Sequence, residues 1–220
     1  MELKYLADMA GRAALVMIFG VLATAKLIAI AGLLRMAKIE WLELATQIAN
    51  LAFVLLVVCM AIIRVKPLRG SDGWEARLSA LAGSSLPLLL LALPVADLGS
   101  GLRMASLSLI AVGWVLSVYV LIWLGRSFSV MPQARRLVTS GPYGIVRHPL
   151  YLAEEIAVLG VTGLYVSPAA LAIVAVHWFF QLRRMANEEK VLLATFRNYS
   201  VYAETTPKFF PYVSKYKQNA

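Results

Sequence analysis

The chain has 220 residues, of which 60% are hydrophobic and 15% are charged, and its formal net charge is +9 at pH 7. Soluble domains carry about 25% charged residues, so this composition excludes a soluble enzyme and a disordered protein. It indicates an integral membrane protein, whose positive charge is typical of cytoplasmic loops; the chain carries no nucleic-acid-reading motif.

Four apolar runs are long enough to cross about 30 Å of hydrocarbon as helices, which takes roughly 20 residues each. In chain order they are Ala13–Leu34, Leu44–Ile63, Leu78–Ala96 and Met104–Gly125. Lys26 interrupts the first run, and we expect its side chain to lie along apolar surface with the ammonium in polar surroundings; a polar cavity is the alternative. The third run contains Pro87 and Pro94, which would kink a helix or end it early.

The fifth apolar run, Ile156–Leu182, is long enough for one straight membrane-crossing helix, but two glycines and a Ser167-Pro168 pair interrupt it. Proline disfavours helix at the preceding residue and is well suited to the first position of a new helix. We therefore predict two helices, Pro149–Leu164 and Pro168 onward, that form a hairpin. The predicted fold is an all-α integral membrane bundle of about five or six transmembrane helices that includes this C-terminal hairpin.

The basic residues orient the bundle. Lys and Arg are concentrated in residues 64–77 and 126–149 and in the tail after Leu182, whereas residues 97–103 hold one acid and one base. The positive-inside rule then places both basic loops and both termini in the cytoplasm. A short basic loop near Arg35 falls on the opposite side, against this trend.

The cysteine and histidine content limits the chemistry. Cys59 is the only cysteine and lies within an apolar run, which excludes an internal disulfide and a cysteine-based zinc site. With two histidines and no helical His-Glu-x-x-His pattern, the sequence predicts no metal site. We expect no cleavable signal peptide, because the first apolar run is long and no small-residue cleavage site closes a short one.

The first candidate site is the polar segment from Leu137 to Tyr151. Its Ser-Gly-Pro cluster predicts a loop, and His148-Pro149 predicts a helix start, with His148 as N-cap and Pro149 as the first helical residue. The free amides of the first turn, around Leu150 and Tyr151, favour an anionic group such as a carboxylate. The alternative is a polar loop that His148 simply caps.

A second candidate site lies on the last predicted helix. His177, Gln181, Arg184 and Glu188 are spaced to share one helical face. Such a polar stripe on an apolar helix is costly unless it is used or paired. An Arg184–Glu188 pair at the membrane interface is the alternative, and we expect His177 to be a buried, hydrogen-bonded residue rather than a ligand.

Two adjacent acids follow the predicted helix start. One of Glu154 and Glu155 is expected to complement the helix N-terminus. Adjacent helical residues face about 100° apart, so the other acid can reach a site.

The string Leu-Val-Thr-Ser-Gly-Pro-Tyr ending at Tyr143, followed by Arg-His-Pro-Leu-Tyr ending at Tyr151, resembles the signature of membrane isoprenylcysteine carboxyl methyltransferases and related phospholipid methyltransferases. A double glutamate followed by aromatic residues and two prolines resembles the same family's C-terminal block. The resemblance covers about residues 135–212. The chain departs from the family pattern at Ala153, where glycine is frequent, and at Arg197, where glycine often follows phenylalanine.

The resemblance implies that residues 126–220 form the catalytic half, which encloses S-adenosylmethionine on the cytoplasmic side, and that residues 1–125 supply the N-terminal helices. The implied cofactor-binding residues are Leu137, Val138, Thr139, Tyr143, His148, Pro149, Leu150, Tyr151, Glu188 and Glu189. The methionyl carboxylate suits the helix start, and its ammonium suits one of the two glutamates. Arg184, which would orient the acceptor, and Glu188 are the predicted catalytic residues.

The predicted function is therefore S-adenosylmethionine-dependent methyl transfer to a lipophilic acceptor, with carboxyl methylation of an isoprenylcysteine as the preferred form. Two alternatives stay open. Sterol-type reductases that use NADPH also carry an Arg-His-Pro-x-Tyr element, and a silent lipid-binding protein could retain the fold. Membrane lipids are expected partners and nucleic acid is not, whereas the sequence predicts neither the acceptor nor the oligomeric state.

Overall fold

The structure, a computed structural model, describes residues 2–71 and 73–211, with side chains from residue 9 onward. Within these residues the α-helices are α1 (Glu2–Leu34), α2 (Trp41–Ile63), α3 (Trp74–Ser85), α4 (Ser100–Leu124), α5 (Pro149–Leu164), α6 (Pro168–Thr195) and α7 (Tyr199–Thr205). Shorter 3-10 helices lie at Leu86–Ala92, Gly125–Ser127 and Gly141–Gly144. Strands β1 (Arg69–Gly70) and β2 (Gln133–Ala134) pair antiparallel, with Arg69 opposite Ala134. The end of the predicted basic tail, beyond Pro211, lies outside the described residues.

Three of the described helical segments are long and apolar enough to cross a membrane: Met9–Leu34, Trp41–Ile63 and Ser100–Ser127. They confirm the first, second and fourth predicted runs as helices, and with them an all-α membrane fold. Large apolar side chains are exposed along these segments, such as Val21, Leu55 and Val115, as expected of surfaces that face lipid. The total number of crossings stays a prediction.

The third predicted run, Leu78–Ala96, is not one helix. α3 ends at Ser85, and the chain continues as a 3-10 helix up to Ala92 before Leu93 adopts extended backbone. Pro87 has no amide hydrogen, and its ring clashes with the preceding turn of an α-helix. The prediction of one continuous α-helix over this run is therefore wrong, whereas the early end that the prolines predicted is confirmed. A membrane crossing by this stretch stays a prediction.

The fifth run forms two helices rather than one. α5 ends at Leu164 and α6 begins at Pro168, as the Ser167-Pro168 pair predicts, and the Ser167 hydroxyl accepts a hydrogen bond from the Ala170 amide (3.2 Å). α5 packs mainly against α4, whereas α6 packs against α3 and the 3-10 helix that follows it. The path of the two helices through the membrane stays a prediction.

The apolar core lies where α1, α2 and α4 meet the loop before α5. It includes Phe53 and Val57 of α2 and Leu121 of α4, together with Tyr143 and Leu150. The last two belong to the polar segment of the first candidate site, so this segment is anchored in the core.

Lys26, the charge within the first run, pairs inside the bundle. Its ammonium donates a hydrogen bond to the side-chain oxygen of Gln47 on α2 (3.1 Å). The sequence pattern did not indicate this partner, because it says nothing about which residue of α2 lies opposite α1 at this depth.

Small residues bring α4 and α5 into close contact. A Cβ atom built on Gly160 would lie 2.6 Å from the backbone oxygen of Ser106 and 2.8 Å from the backbone nitrogen of Ile110. Gly113 of α4 faces the backbone of Ala157 just as closely. Glycines at helix contacts let backbones approach in membrane proteins, so these two positions set the distance between α4 and α5.

Gly160→Ala is expected to destabilise the protein by about 1–3 kcal/mol, the usual cost of overpacking a well-packed interior. The added methyl group would meet rigid backbone of α4, so the two helices must separate. Thermal unfolding in detergent measures the effect. Gly20→Ala is the matched control, because a Cβ at Gly20 has nothing within 4 Å; equal melting temperatures for the two variants would contradict the prediction.

The end of α2 is bound by three arginines from distant parts of the chain. The hydrogen bonds run from Arg12 Nη1 to Ile62 O (3.1 Å), from Arg126 Nε to Ile63 O (2.8 Å) and from Arg135 Nη1 to Val65 O. The last carbonyls of a helix lack partners within the helix and favour cations. These bonds therefore tie α1 and the loop between α4 and α5 to the end of α2.

Candidate active site

A cleft with about 800 Å³ of empty space, part of it open to solvent, lies between the end of α4, the start of α5, and α6 and α7. Most of the predicted site residues line it. They are Leu137, Val138, Tyr143, His148, Leu150, Tyr151, Arg184 and Glu188. The structure thus brings together the two polar segments that the sequence singles out.

Three of the predicted cofactor-binding residues are absent from the cleft wall. Thr139 is exposed in the loop, and Pro149 is buried in the first turn of α5. Glu189 contacts His148, where the loop meets α5, and does not line the cleft. Their roles as cofactor contacts stay predictions.

The loop before α5 folds through a 3-10 turn that requires glycine. Gly141 has φ +59°, a left-handed conformation that favours glycine, and a Cβ there would collide with the ring of Trp123 on α4. The turn places Tyr143 in the core and leads to His148, the N-cap of α5, with Pro149 as the first helical residue, as predicted. The His148 side chain does not cap the helix; its Nε2 lies 2.8 Å from Glu189 Oε1.

Tyr151 organises the polar wall of the cleft. Its hydroxyl donates a hydrogen bond to Glu188 Oε2 (2.7 Å), and the Arg184 guanidinium lies 4.9 Å from the centre of its ring. Arg184 is 7% exposed, and its Nε has no hydrogen-bond partner among the described residues. Arg184 is therefore not a solvent-exposed residue, and the alternative of an Arg184–Glu188 pair at the membrane interface stays open. A buried cation with an unpaired hydrogen-bond donor next to a carboxylate suits a ligand that carries both a negative and a positive charge.

The other half of the polar stripe lies deeper in the bundle. His177 Nε2 is 2.7 Å from Glu155 Oε1, and Gln181 Nε2 donates a hydrogen bond to the same oxygen (3.2 Å). His177 is 1% exposed, which confirms the expectation of a buried, hydrogen-bonded histidine. Of the two adjacent acids, Glu154 reaches the cleft. Glu155 does not complement the start of α5 as expected, since it is turned toward α6.

The segment after α6 covers one side of the cleft through contacts with the loop before α5. The Tyr202 hydroxyl donates to the Tyr143 carbonyl (2.7 Å), and the Arg147 amide donates to the Pro207 carbonyl (2.9 Å). Burial raises the pKa of Tyr202 to about 12, so its hydroxyl keeps its proton at neutral pH. Tyr199 and Tyr202 line the cleft.

Glu189 joins three parts of the chain around the cleft. Its carboxylate lies within 2.8 Å of His148 Nε2, 3.5 Å of Arg147 Nε and 3.8 Å of Lys208 Nζ. Partial burial raises the pKa of Glu189, but the hydrogen bond to His148 and the nearby positive charges outweigh it, so the pKa lies below its ordinary value of 4.5. Glu189 is therefore ionised at neutral pH and links the loop before α5, α6 and the tail.

Glu189→Gln is expected to lower the stability at pH 7 by about 0.5–1.5 kcal/mol, as for a typical hydrogen bond. The folded pKa is depressed, so the contribution is present above the ordinary value of 4.5 and is lost as the pH falls through the folded value. Melting temperatures of both proteins between pH 7 and pH 3 measure it. A gap that stays constant down to the lowest pH would contradict the prediction.

Several lining residues had no signal in the sequence. Ser129, Gln133 and Arg136 lie in the cleft wall, but they come from the loop that contains β2, whose path follows from the pairing of β1 with β2. No periodic pattern predicts the side-chain directions of such a loop. The aromatic residues of the tail belong to the C-terminal block of the resemblance, which assigns none of them a contact.

The chain is similar to a known protein family and to several known proteins. Residues 106–194 match the sequence model of the isoprenylcysteine carboxyl methyltransferase (ICMT) family. Protein-S-isoprenylcysteine O-methyltransferase B of Arabidopsis thaliana is 36% identical over 115 residues, 49% of this chain and 58% of that protein. The protein-S-isoprenylcysteine O-methyltransferase of Schizosaccharomyces pombe is 30% identical over 118 residues, 50% of this chain and 49% of that protein.

A bacterial relative carries a different name. The cobalt-zinc-cadmium resistance protein CzcN of Cupriavidus metallidurans is 37% identical over 82 residues, 37% of this chain and 38% of that protein. Within residues 2–71 and 73–211, no group of three or more His, Cys, Asp or Glu residues is placed to hold a metal ion. The chain spans about half the length of the curated relatives it matches.

Proposed function

We propose that this protein is a membrane-embedded methyltransferase that uses S-adenosylmethionine and acts on a lipophilic acceptor, because residues 106–194 match the sequence model of the isoprenylcysteine carboxyl methyltransferase family. The preferred acceptor group is the carboxylate of an isoprenylcysteine, the residue type for which two of the relatives are named. The observation that carries the proposal is the cleft in which the start of α5 meets Arg184 and Glu188 of α6.

The residues of the cleft fit this cofactor. The free amides at the start of α5, at Leu150 and Tyr151, would hold the methionyl carboxylate, because a helix N-terminus favours an anion. Glu188, which has one oxygen bound by Tyr151, would hold the ammonium. S-adenosylmethionine supplies a methyl group on a positively charged sulfur, which makes that group electrophilic.

The chain's own task is then alignment. Arg184 is buried and its Nε has no hydrogen-bond partner among the described residues, so it would pair with an anionic acceptor and direct it into the cleft. A carboxylate acceptor has no proton to lose, so the site needs no general base for it, unlike a site for an amine or a thiol. The Tyr202–Tyr143 and Arg147–Pro207 hydrogen bonds would keep the tail over the cleft and limit the entry of water.

The activity test uses purified protein, S-adenosylmethionine labelled in its methyl group, and an N-acetylated S-farnesylcysteine in detergent. We expect label in a base-labile ester, and none when the carboxyl group is blocked as its methyl ester beforehand. Transfer to phospholipid instead would change the acceptor but keep the methyltransferase. Binding of NADPH alone would favour a sterol-type reductase, and binding of neither would favour a lipid-binding protein.

The proposal also includes an orientation, with the cleft and both termini in the cytoplasm. In a Cys59→Ser background, Ser140→Cys and Arg197→Cys are expected to react with a membrane-impermeant thiol reagent from the same, cytoplasmic face. Asp97→Cys, in the loop predicted outside, is the matched control and should react from the opposite face; all three positions are exposed. Labelling of positions 140 and 197 from opposite faces would contradict the hairpin.

A further inference from the structure

The buried cluster of Glu155, His177 and Gln181 lies outside the cleft and has no part in the proposed chemistry. Its three side chains are 6%, 1% and 2% exposed. Both α6 residues meet a single carboxylate oxygen of α5, at 2.7 Å for His177 and 3.2 Å for Gln181. The backbones of α5 and α6 come close at few points, so these hydrogen bonds are a principal link between the two helices.

The residues of the cluster lie on the same faces of α5 and α6 as the polar residues of the cleft. On α5, Glu155 is one turn after Tyr151; on α6, Arg184 is two turns after His177, and Glu188 is two turns after Gln181. Residues separated by four or seven positions lie on the same face of an α-helix. A rotation of α6 that breaks the cluster therefore also turns Arg184 and Glu188 away from Tyr151.

The chemistry of the cluster favours a positioning role over a contribution to stability. Burying polar groups of this kind gains little compared with apolar side chains of similar volume, because desolvation offsets the attraction. Hydrogen bonds do fix one mutual arrangement, whereas apolar contacts tolerate small rotations. The neighbouring contact of α3 with α6, where Glu75 accepts from Asn187 (2.9 Å), holds another side of the helix. On the α5 side, the cluster acts together with the hydrogen bond from Tyr151 to Glu188.

We propose that Glu155, His177 and Gln181 are positioning residues that set the rotation of α6, so that Arg184 and Glu188 face the cofactor and the acceptor. This inference rests on the proposed function. The cluster touches neither ligand and acts through the two cleft residues.

The test is a double-mutant cycle on S-adenosylmethionine affinity, measured by calorimetry with the full chain in detergent. Glu155→Leu, which removes both hydrogen bonds, is expected to weaken binding about tenfold, a size usual for coupled neighbours. Glu155→Gln keeps an acceptor oxygen and is expected to stay within about threefold of the wild type. In a Glu188→Gln background, Glu155→Leu is expected to add less than about twofold, because the residue it positions is already impaired.

Thr162→Val is the matched control on the same helix. Thr162 is also buried, but its hydroxyl donates only to the Val158 carbonyl within α5 (2.7 Å), so its loss should leave the affinity unchanged. If Glu155→Leu does not fold, Gln181→Leu, which removes one of the two bonds, replaces it in the cycle. Losses that multiply fully in the double variant would overturn the positioning role alone; no binding by the wild type would overturn the proposed function and this inference together.

Discussion

Arg184→Leu is expected to lower the turnover of the isoprenylcysteine acceptor about 100-fold, which corresponds to about 2.7 kcal/mol of lost transition-state stabilisation. The guanidinium is buried next to Tyr151, and its Nε has no hydrogen-bond partner among the described residues. Leucine removes the cation that would pair with the acceptor carboxylate. The affinity for S-adenosylmethionine should change by less than about threefold, because the cofactor is assigned to other residues. Steady-state kinetics and calorimetry on the same preparation measure the two effects.

The adjacent arginine provides the control. Arg183 points away from the cleft and pairs with Glu75 at 2.9 Å, with its side chain 54% exposed. Arg183→Leu removes the same charge from the same turn of α6, and we expect its turnover to stay near that of the wild type. Equal losses in the two variants would mean that the charge of α6, rather than the position of Arg184, supports the reaction.

Glu188→Gln is expected to weaken S-adenosylmethionine binding by about 10- to 100-fold, since a hydrogen bond to a charged group contributes about 1.5–3 kcal/mol. Glutamine keeps the size of the side chain and an acceptor for the Tyr151 hydroxyl, and it removes only the negative charge that would meet the ammonium. Equilibrium binding to the purified protein measures the change. Glu204→Gln, at an exposed position of α7, is the control for a change of net charge.

The comparison with Glu189 decides between the two glutamates. Glu189 already meets His148, Arg147 and Lys208, which leaves it less suited to a further cation. A larger loss of cofactor affinity for Glu189→Gln than for Glu188→Gln would move the ammonium site to Glu189.

The parts of the fold that follow from local patterns could be predicted from the sequence. Apolar length was enough for α1, α2 and α4, and the Ser167-Pro168 pair was enough for the boundary between α5 and α6, because both signals lie within one continuous stretch of the chain. The prediction of one continuous helix over the third run was wrong, because apolar length does not show where a proline ends a helix. A helical face could be assigned to Arg184 and Glu188, whereas the partner of His177 and Gln181 could not, because Glu155 comes from another helix.

The cleft shows the same limit. Its two main walls correspond to the segments that the sequence singled out, since each wall is a continuous stretch with unusual composition. Ser129, Gln133 and Arg136 enter the cleft through a loop whose path depends on a two-residue strand pair and on arginine contacts with the end of α2. Such long-range contacts leave no periodic trace in the sequence.

The arginine contacts at the end of α2 have a consequence for biosynthesis. Arg126 and Arg135 donate to carbonyls that precede them by 63 and 70 residues, so a ribosome must complete the whole of α3 and α4 before either donor exists. α1 and α2 can enter the bilayer as soon as they are made, but the end of α2 waits for partners that arrive later. Insertion and final docking are thus separate stages for this pair, and a nascent chain that stops before residue 126 would hold inserted helices that lack the two arginine contacts at the end of α2.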